Sequence, residues 1–226
     1  MICICFGNPV YKTCKTTIEA TGAEIAEIRL DGADLSPADI GKIFSLPCKL
    51  IATCRPSDQT DTHRIKLLMT AIISGAAYVD LEVESTPESR EEIIKAARLQ
   101  GCQVILSYHN FETTPPKHEL ETIIDQCFFF GADIAKISCF SNSLADTARI
   151  ISLYDYIERL RKTEKSGITG DHNIIAIGMG EKGKFTRVAA PFLGAPFTYS
   201  SIAGGLETAP GQIDIKTMEQ ICRLLI

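Results

Sequence analysis

Residues 78–110, YVDLEVESTPESREEIIKAARLQGCQVILSYHN, decide the fold. In YVDLEVE (78–84), Val79, Leu81 and Val83 alternate with Asp80, Glu82 and Glu84, the period of two that marks a strand with an apolar and a polar face. Thr86, Pro87 and Ser89 then open a helix, with a hydroxyl cap and a proline in the first turn, and Gly101 closes it. QVILSYHN (103–110) follows as a second β-rich run. Strand, helix and strand in direct succession form one βαβ unit, whose two strands run parallel.

The same pattern extends in both directions. Further β-rich runs are ICICFG (2–7), EIAEIRLD (24–31), KLIATCR (49–55), IAKISCF (134–140), IIAIGMG (174–180) and PFTYSS (196–201). Helical stretches lie between them, for example SPADIGKIFSL, where Ser36 and Pro37 are cap and first-turn residue. Eight such units at roughly 25–30 residues each fill a 226-residue chain. The expected architecture is therefore α/β, a closed (β/α)8 TIM barrel of strictly alternating strands and helices, forming one domain over residues 1–226. An open doubly wound sheet would want a Gly-rich fingerprint after its first strand. The only GxGxxG match, Gly178 to Gly183, follows the seventh run, and Tyr199 stands where an acid is needed, so it is read as a flexible glycine-bearing loop.

Composition excludes several classes. With 28 acidic against 23 basic residues the net charge is −5, and no basic cluster exceeds RLRK at 159–162, so nucleic acid is not the main partner. No apolar run reaches the roughly 18–20 residues of a membrane helix, and MICICFGNPVYK does not resemble a signal peptide, which points to the cytoplasm. Nine scattered cysteines without a CxxC pair read as reduced thiols in small apolar positions, with no metal among them.

In such a barrel the chemistry comes from the C-terminal ends of the strands. In 24–31, Glu27, Arg29 and Asp31 share the face opposite Ala26, Ile28 and Leu30, so the charged set points into the barrel mouth. Asp80, Glu82 and Glu84 repeat the arrangement; Arg55, Ser107, His109 and Lys136 continue it, and Arg187 follows the seventh strand. Any one of these could be a structural ion pair. Buried charge is costly enough that the whole set converging on one end is the signature of a site. Lys136, in the middle of an apolar strand, sits where scarce water favours the neutral amine, a nucleophile that forms imines with carbonyls. His109 is expected as its nearest inward neighbour on the adjacent strand and as the proton carrier, with Glu82 accepting from the second imidazole N–H. His63 and His118 read as solvated positions at helix starts, and His172 lies at the wrong end of the barrel.

At this point the sequence resembles the type I 3-dehydroquinate dehydratases over nearly its whole length. The resemblance is carried by EIRLD, CR (54–55), DLE (80–82), SYHNFETTP (107–115), ADIAKI (132–137), MGEKGKFTR (179–187) and TAPGQ (208–212), in the family's order and at similar spacing. It implies a lyase of the shikimate pathway that dehydrates 3-dehydroquinate without metal or organic cofactor. Lys136 would be the Schiff-base lysine, His109 the general acid/base and Glu82 its partner. Arg187 would bind the substrate carboxylate, and Glu27, Arg29 and Arg55 the ring hydroxyls. Thr208 and Gln212 would close over the carboxylate end from a lid hinged at Gly204 and Gly205, and Met179 would line the pocket. One base acting on one face implies syn elimination.

Family membership further implies a homodimer, and members are sometimes fused ahead of a shikimate dehydrogenase. The chain departs from the pattern at residues 56–61, PSDQTD, which lack the family's Glu-Gly-Gly, at Thr208 where Ser is usual, and at Tyr108 and Asn110 beside His109. It also begins almost directly with its first strand, so the hairpin that plugs the barrel in many members is expected to be short or missing. The net charge of −5 is not expected to repel an anion, since Arg29, Arg55, Lys136 and Arg187 gather at the site while the acids spread elsewhere. Two alternatives remain open. One is a different imine-forming barrel such as a class I aldolase of sugar phosphates; the other is a non-enzymatic barrel that serves as a binding subunit.

Overall fold

The computed structural model describes residues 1–56, 61–162, 172–202, 204 and 207–225. Eight parallel strands run in chain order: β1 (Ile2–Phe6), β2 (Ile25–Arg29), β3 (Lys49–Thr53), β4 (Tyr78–Glu82), β5 (Gln103–Asn110), β6 (Ile134–Phe140), β7 (Asn173–Met179) and β8 (Thr198–Ser201). Each pairs with its predecessor from β2 to β7, and β8 returns to β1. The chain folds as a (β/α)8 barrel. The expectation of full closure needs one correction: among the described residues no ladder joins β7 to β8. A short helix (Lys184–Ala189) stands at that seam instead, and Thr198 Oγ1 donates to the carbonyl of Arg187 at 2.8 Å.

Strict alternation also fails locally. Two helices follow β6, α6 (Leu144–Ile151) and α7 (Leu153–Lys162), broken at Ser152, whose hydroxyl donates to the carbonyl of Arg149 at 2.7 Å. The seam helix is α8, and a two-residue strand β9 (Ile213–Asp214) pairs with β8 before α9 (Ile215–Leu225). The other helices are α1 (Tyr11–Thr21), α2 (Pro37–Phe44), α3 (Asp61–Ile73), α4 (Pro87–Gln100) and α5 (Lys117–Phe129). Local chemistry sets their ends. Ser36 and Asp39 form a reciprocal capping box on α2. On α4 the Thr86 hydroxyl accepts from the Ser89 N–H, and Gly101 ends the helix at φ 66°, a left-handed conformation that glycine adopts without strain.

Each helix lays one stripe on the barrel. In α4, Ser89, Ile93, Ala96 and Ala97 are buried at helical spacing while Glu91, Glu92 and Lys95 face solvent. Inside, aromatic rings fill the N-terminal end, with Tyr78 edge-on to Phe197 and Phe197 edge-on to Tyr199. All nine thiols are free, and all but Cys48 and Cys222 are buried. Among the described residues no helix is long and apolar enough to cross a membrane.

Candidate active site

Register decides which inward side chains meet. Thr53 of β3 lies beside Asp80 of β4, and Glu82 beside Ser107 of β5. Asp80 is fully buried and becomes a hub. Arg55, two residues beyond β3, donates to both of its oxygens at 2.9 Å, Ser107 Oγ donates at 2.6 Å and Lys136 Nζ at 2.8 Å. Burial works against this carboxylate. Arg55 first, then Lys136, outweigh it and hold the group well below the usual carboxylate range. Arg55 also donates to Glu82 Oε1 at 2.6 Å and to Ser107 Oγ at 2.9 Å.

Lys136, near the middle of β6 and 4% exposed, is thus a paired amine rather than the isolated one expected from its apolar strand. Glu27 Oε1 is 3.9 Å from its Nζ and accepts from Thr53 Oγ1 at 2.9 Å. Two expectations about its neighbours are corrected. The β5 residue beside Lys136 is Ser107, and His109 pairs one step higher with Ser138, because the parallel register sets 107 against 136. Glu82 is taken up by Arg55 and lies 3.5 Å from Nη1 of Arg64 on α3; among the described residues no hydrogen bond joins it to His109. Two guanidinium groups outcompete a neutral imidazole for a carboxylate.

His109 stands near the end of β5 with Phe111 stacked at 6.1 Å. Burial pushes its imidazole well below the ordinary histidine value, and the charges of Arg55 and Lys136 push the same way against Asp80. It is neutral at pH 7 and ready to accept a proton. Arg29 makes a two-point contact with Asp31 at 3.0 and 2.6 Å, and Asp31 also accepts from the backbone N–H of Arg55 at 3.1 Å.

The glycine motif after β7 is a packed turn, not the flexible loop expected. A Cβ on Gly178 would come within 2.8 Å of Gly183 Cα, and one on Gly183 would run into the Gly178 backbone. The Thr186 hydroxyl locks the turn, accepting from Gly178 N–H at 2.6 Å and donating to Gly183 O at 2.7 Å. This delivers Arg187, fully buried, to the cavity wall. Its Nη2 donates to Pro210 O at 3.3 Å, while Nε and Nη1 have no hydrogen bond among the described residues. Burial pulls its guanidinium down to about 10. The 208–212 segment docks on the same turn: Gly180 N–H donates to Pro210 O at 3.1 Å, and Gln212 Oε1 accepts from Thr208 N–H at 2.8 Å and Thr208 Oγ1 at 3.1 Å. Of the expected hinge, Gly205 lies outside the described residues, as do positions 57–60 of the departing loop.

These groups surround one cavity of about 400 Å³. Glu27, Arg29, Arg55, Glu82, His109, Lys136, Arg187, Thr208 and Gln212 all line it. Met179 does not; it is buried, and Ile177 lines the wall from the same strand. The acids are not spread elsewhere either, since Asp31, Asp80 and Glu82 pair with Arg29 and Arg55, and Asp80 also with Lys136. Arg187 alone of the four cations has no carboxylate partner among the described residues. Sequence reasoning placed Asp80 on the inward face without seeing its central position, and passed over Tyr199, Ser138 and Phe111, which also line the cavity. Among the described residues no group of three or more His, Cys, Asp or Glu side chains gathers in metal-binding geometry.

One cavity of the barrel thus receives a buried lysine, a neutral imidazole and a buried guanidinium that no carboxylate contacts among the described residues, the arrangement of an enzyme active site. The chain belongs to the type I 3-dehydroquinase family, which it matches over residues 2–226, and like the members of that family it is a hydro-lyase. It is 36% identical to the 3-dehydroquinate dehydratase of Desulfotalea psychrophila over 97% of this chain and 96% of that one. It is 34% identical to the Methanocaldococcus jannaschii protein of the same name, over 95% and 92%. Among solved structures, the Aquifex aeolicus 3-dehydroquinate dehydratase superposes with a TM-score of 0.80 at 25% identity, covering 100% of this chain and 99% of that one. A Schizosaccharomyces pombe structure of dehydroquinate dehydratase and shikimate dehydrogenase matches with a TM-score of 0.79 at 18% identity; the match covers 99% of this chain and 44% of that one, a likeness of fold.

Proposed function

We propose that the chain dehydrates 3-dehydroquinate to 3-dehydroshikimate in the shikimate pathway to chorismate, through a Schiff base on Lys136. The observation that carries this reading is Arg187, buried with two nitrogens unbonded on the wall of the cavity that Lys136 also lines. A buried cation that no carboxylate contacts among the described residues, with Glu207 acting on it only at a distance, is expensive, so the ligand is expected to bring a carboxylate. Arg29 and Arg55, already paired, offer their remaining donors to ring hydroxyls, together with the carboxylate of Glu27.

The chemistry then assigns each group a task. Once it has given up a proton, Lys136 Nζ attacks the ketone carbon, and loss of water leaves a protonated imine. His109 takes the proton from the adjacent carbon, and the electrons of the breaking C–H bond move into the imine as an enamine. The enamine pushes out the hydroxyl one carbon further, protonated by the same imidazolium, so that water leaves and the double bond forms. Water finally hydrolyses the product imine and frees Lys136. One imidazole serving both transfers fits syn elimination.

A cytoplasmic homodimer without metal or organic cofactor goes with this reading; size-exclusion chromatography tests the dimer. The direct assay is growth of absorbance from the conjugated product after 3-dehydroquinate is added. Turnover at an enzymatic rate is expected. An inert protein, or one that cleaves sugar phosphates instead, overturns the assignment.

A further inference from the structure

Three aromatic rings rise from the N-terminal end of the barrel toward Lys136. Tyr78 meets Phe197 at 5.7 Å between centroids and 66°, and Phe197 meets Tyr199 at 5.5 Å and 71°, both edge-on. Tyr199, 2% exposed, ends the column, and Nζ of Lys136 lies 4.2 Å from its ring centroid. Its hydroxyl is buried and has no hydrogen-bond partner among the described residues. A closed-off, unpartnered hydroxyl opposes folding, so packing of the ring keeps this side chain in place. Burial also pushes the phenol well up, so it neither gives nor takes a proton at neutral pH. What Tyr199 presents to the site is its ring face.

We propose that Tyr199 is a positioning residue whose ring face holds the cationic nitrogen of Lys136, first as ammonium and then as protonated imine. The inference rests on the Schiff-base reading above. The distance lies well inside the roughly 6 Å over which a cation is drawn to an aromatic face, and the attraction is strongest where water is excluded. The ring does something that the carboxylates cannot. An ammonium has three N–H donors and a protonated imine has one, so the hydrogen bond to Asp80 and the longer ion pair with Glu27 must rearrange as the C–N bond forms. The ring senses the charge rather than a particular N–H, and holds the nitrogen through that change without competing for its proton.

The test compares Tyr199→Phe, Tyr199→Leu and a series of increasingly fluorinated phenylalanines incorporated at position 199. Tyr199→Phe is expected to keep kcat within about twofold, because the ring face survives. Tyr199→Leu is expected to lower both kcat and the rate of borohydride trapping at Lys136 by about ten- to thirtyfold, with a smaller change in KM. Fluorination keeps the shape while draining the ring face of electron density, so log kcat should fall stepwise along the series, and that series carries the test if the leucine variant does not fold. A flat response to fluorination, or a phenylalanine variant as impaired as the leucine one, overturns the proposal. Wild-type protein is trapped first: failure to label it with 3-dehydroquinate counts against the Schiff-base reading, whereas normal labelling with indifference to fluorination counts against Tyr199 alone.

Discussion

The two ends of the cavity are built on opposite electrostatic plans. Around Asp80 every charge is answered: Arg55 holds it with two nitrogens, Ser107 and Lys136 complete it, and Glu82 sits between Arg55 and Arg64. Around Arg187, among the described residues, only a backbone carbonyl accepts, at 3.3 Å, and two nitrogens go without. The reacting end is preorganised before substrate arrives, which is what electrostatic catalysis requires. On the function proposed above, the Arg187 end is left incomplete for a ligand carboxylate to fill, stability being traded for affinity.

Four changes break or sharpen this contrast, in decreasing order of effect. His109→Ala removes the proposed proton carrier from the saturated end and is expected to cut kcat by about 10² to 10⁴, with ligand binding largely kept, as steady-state kinetics and calorimetry would show. Asp80→Asn removes the hub and leaves, among the described residues, Arg55 with Glu82 alone and Lys136 with only the more distant Glu27, so buried positive charge is under-compensated. It should cost about 3–5 kcal/mol, a fall in Tm of about 10 °C for a chain of this size, read by thermal denaturation. Arg187→Met should do the reverse, raising KM about 10- to 100-fold through loss of a charge-assisted bond while leaving the Tm of the ligand-free protein equal or higher. If both substitutions destabilise alike, the distinction between the two ends is wrong.

The smallest effect is in pH. His109 has a folded value well below its unfolded value near 6.5, so between the two the unfolded chain binds more protons. Its contribution to stability is therefore present above about pH 6.5 and is lost as the pH falls toward the folded value, by at most about 1.4 kcal/mol per pH unit. His109→Gln should flatten that part of the stability profile in denaturant titrations at a series of pH values. The acid limb of kcat/KM in the wild-type enzyme should lie below pH 6.5.

Much of this was legible because the side-chain period of a strand is two. Parity alone sorted Glu27, Glu82, His109 and Lys136 onto the inward face, and the capping residues Ser36, Thr86 and Gly101 marked helix ends where the structure has them. Parity does not tell how far one strand is shifted along the next. Glu82 is therefore matched to His109 by parity although the register and two guanidinium groups take it elsewhere; the family resemblance, not parity, puts Met179 on the lining, where the structure has Ile177, two residues earlier. Tyr199 escaped notice because an aromatic residue on a strand looks like any core residue; only the three-dimensional placement of Lys136 over its face distinguishes it. The unpaired state of Arg187 was equally invisible, since it depends on which carboxylates the other cations have already claimed.

The central claim is that Lys136 forms the covalent intermediate, and borohydride reduction tests it most directly. Protein mixed with 3-dehydroquinate and reduced should carry one stable adduct, placed on Lys136 by peptide mass spectrometry, and Lys136→Ala should take up no label and lose dehydration altogether. A Lys136→Ala protein that still dehydrates at the wild-type rate, or an adduct mapped to another lysine, would contradict the account.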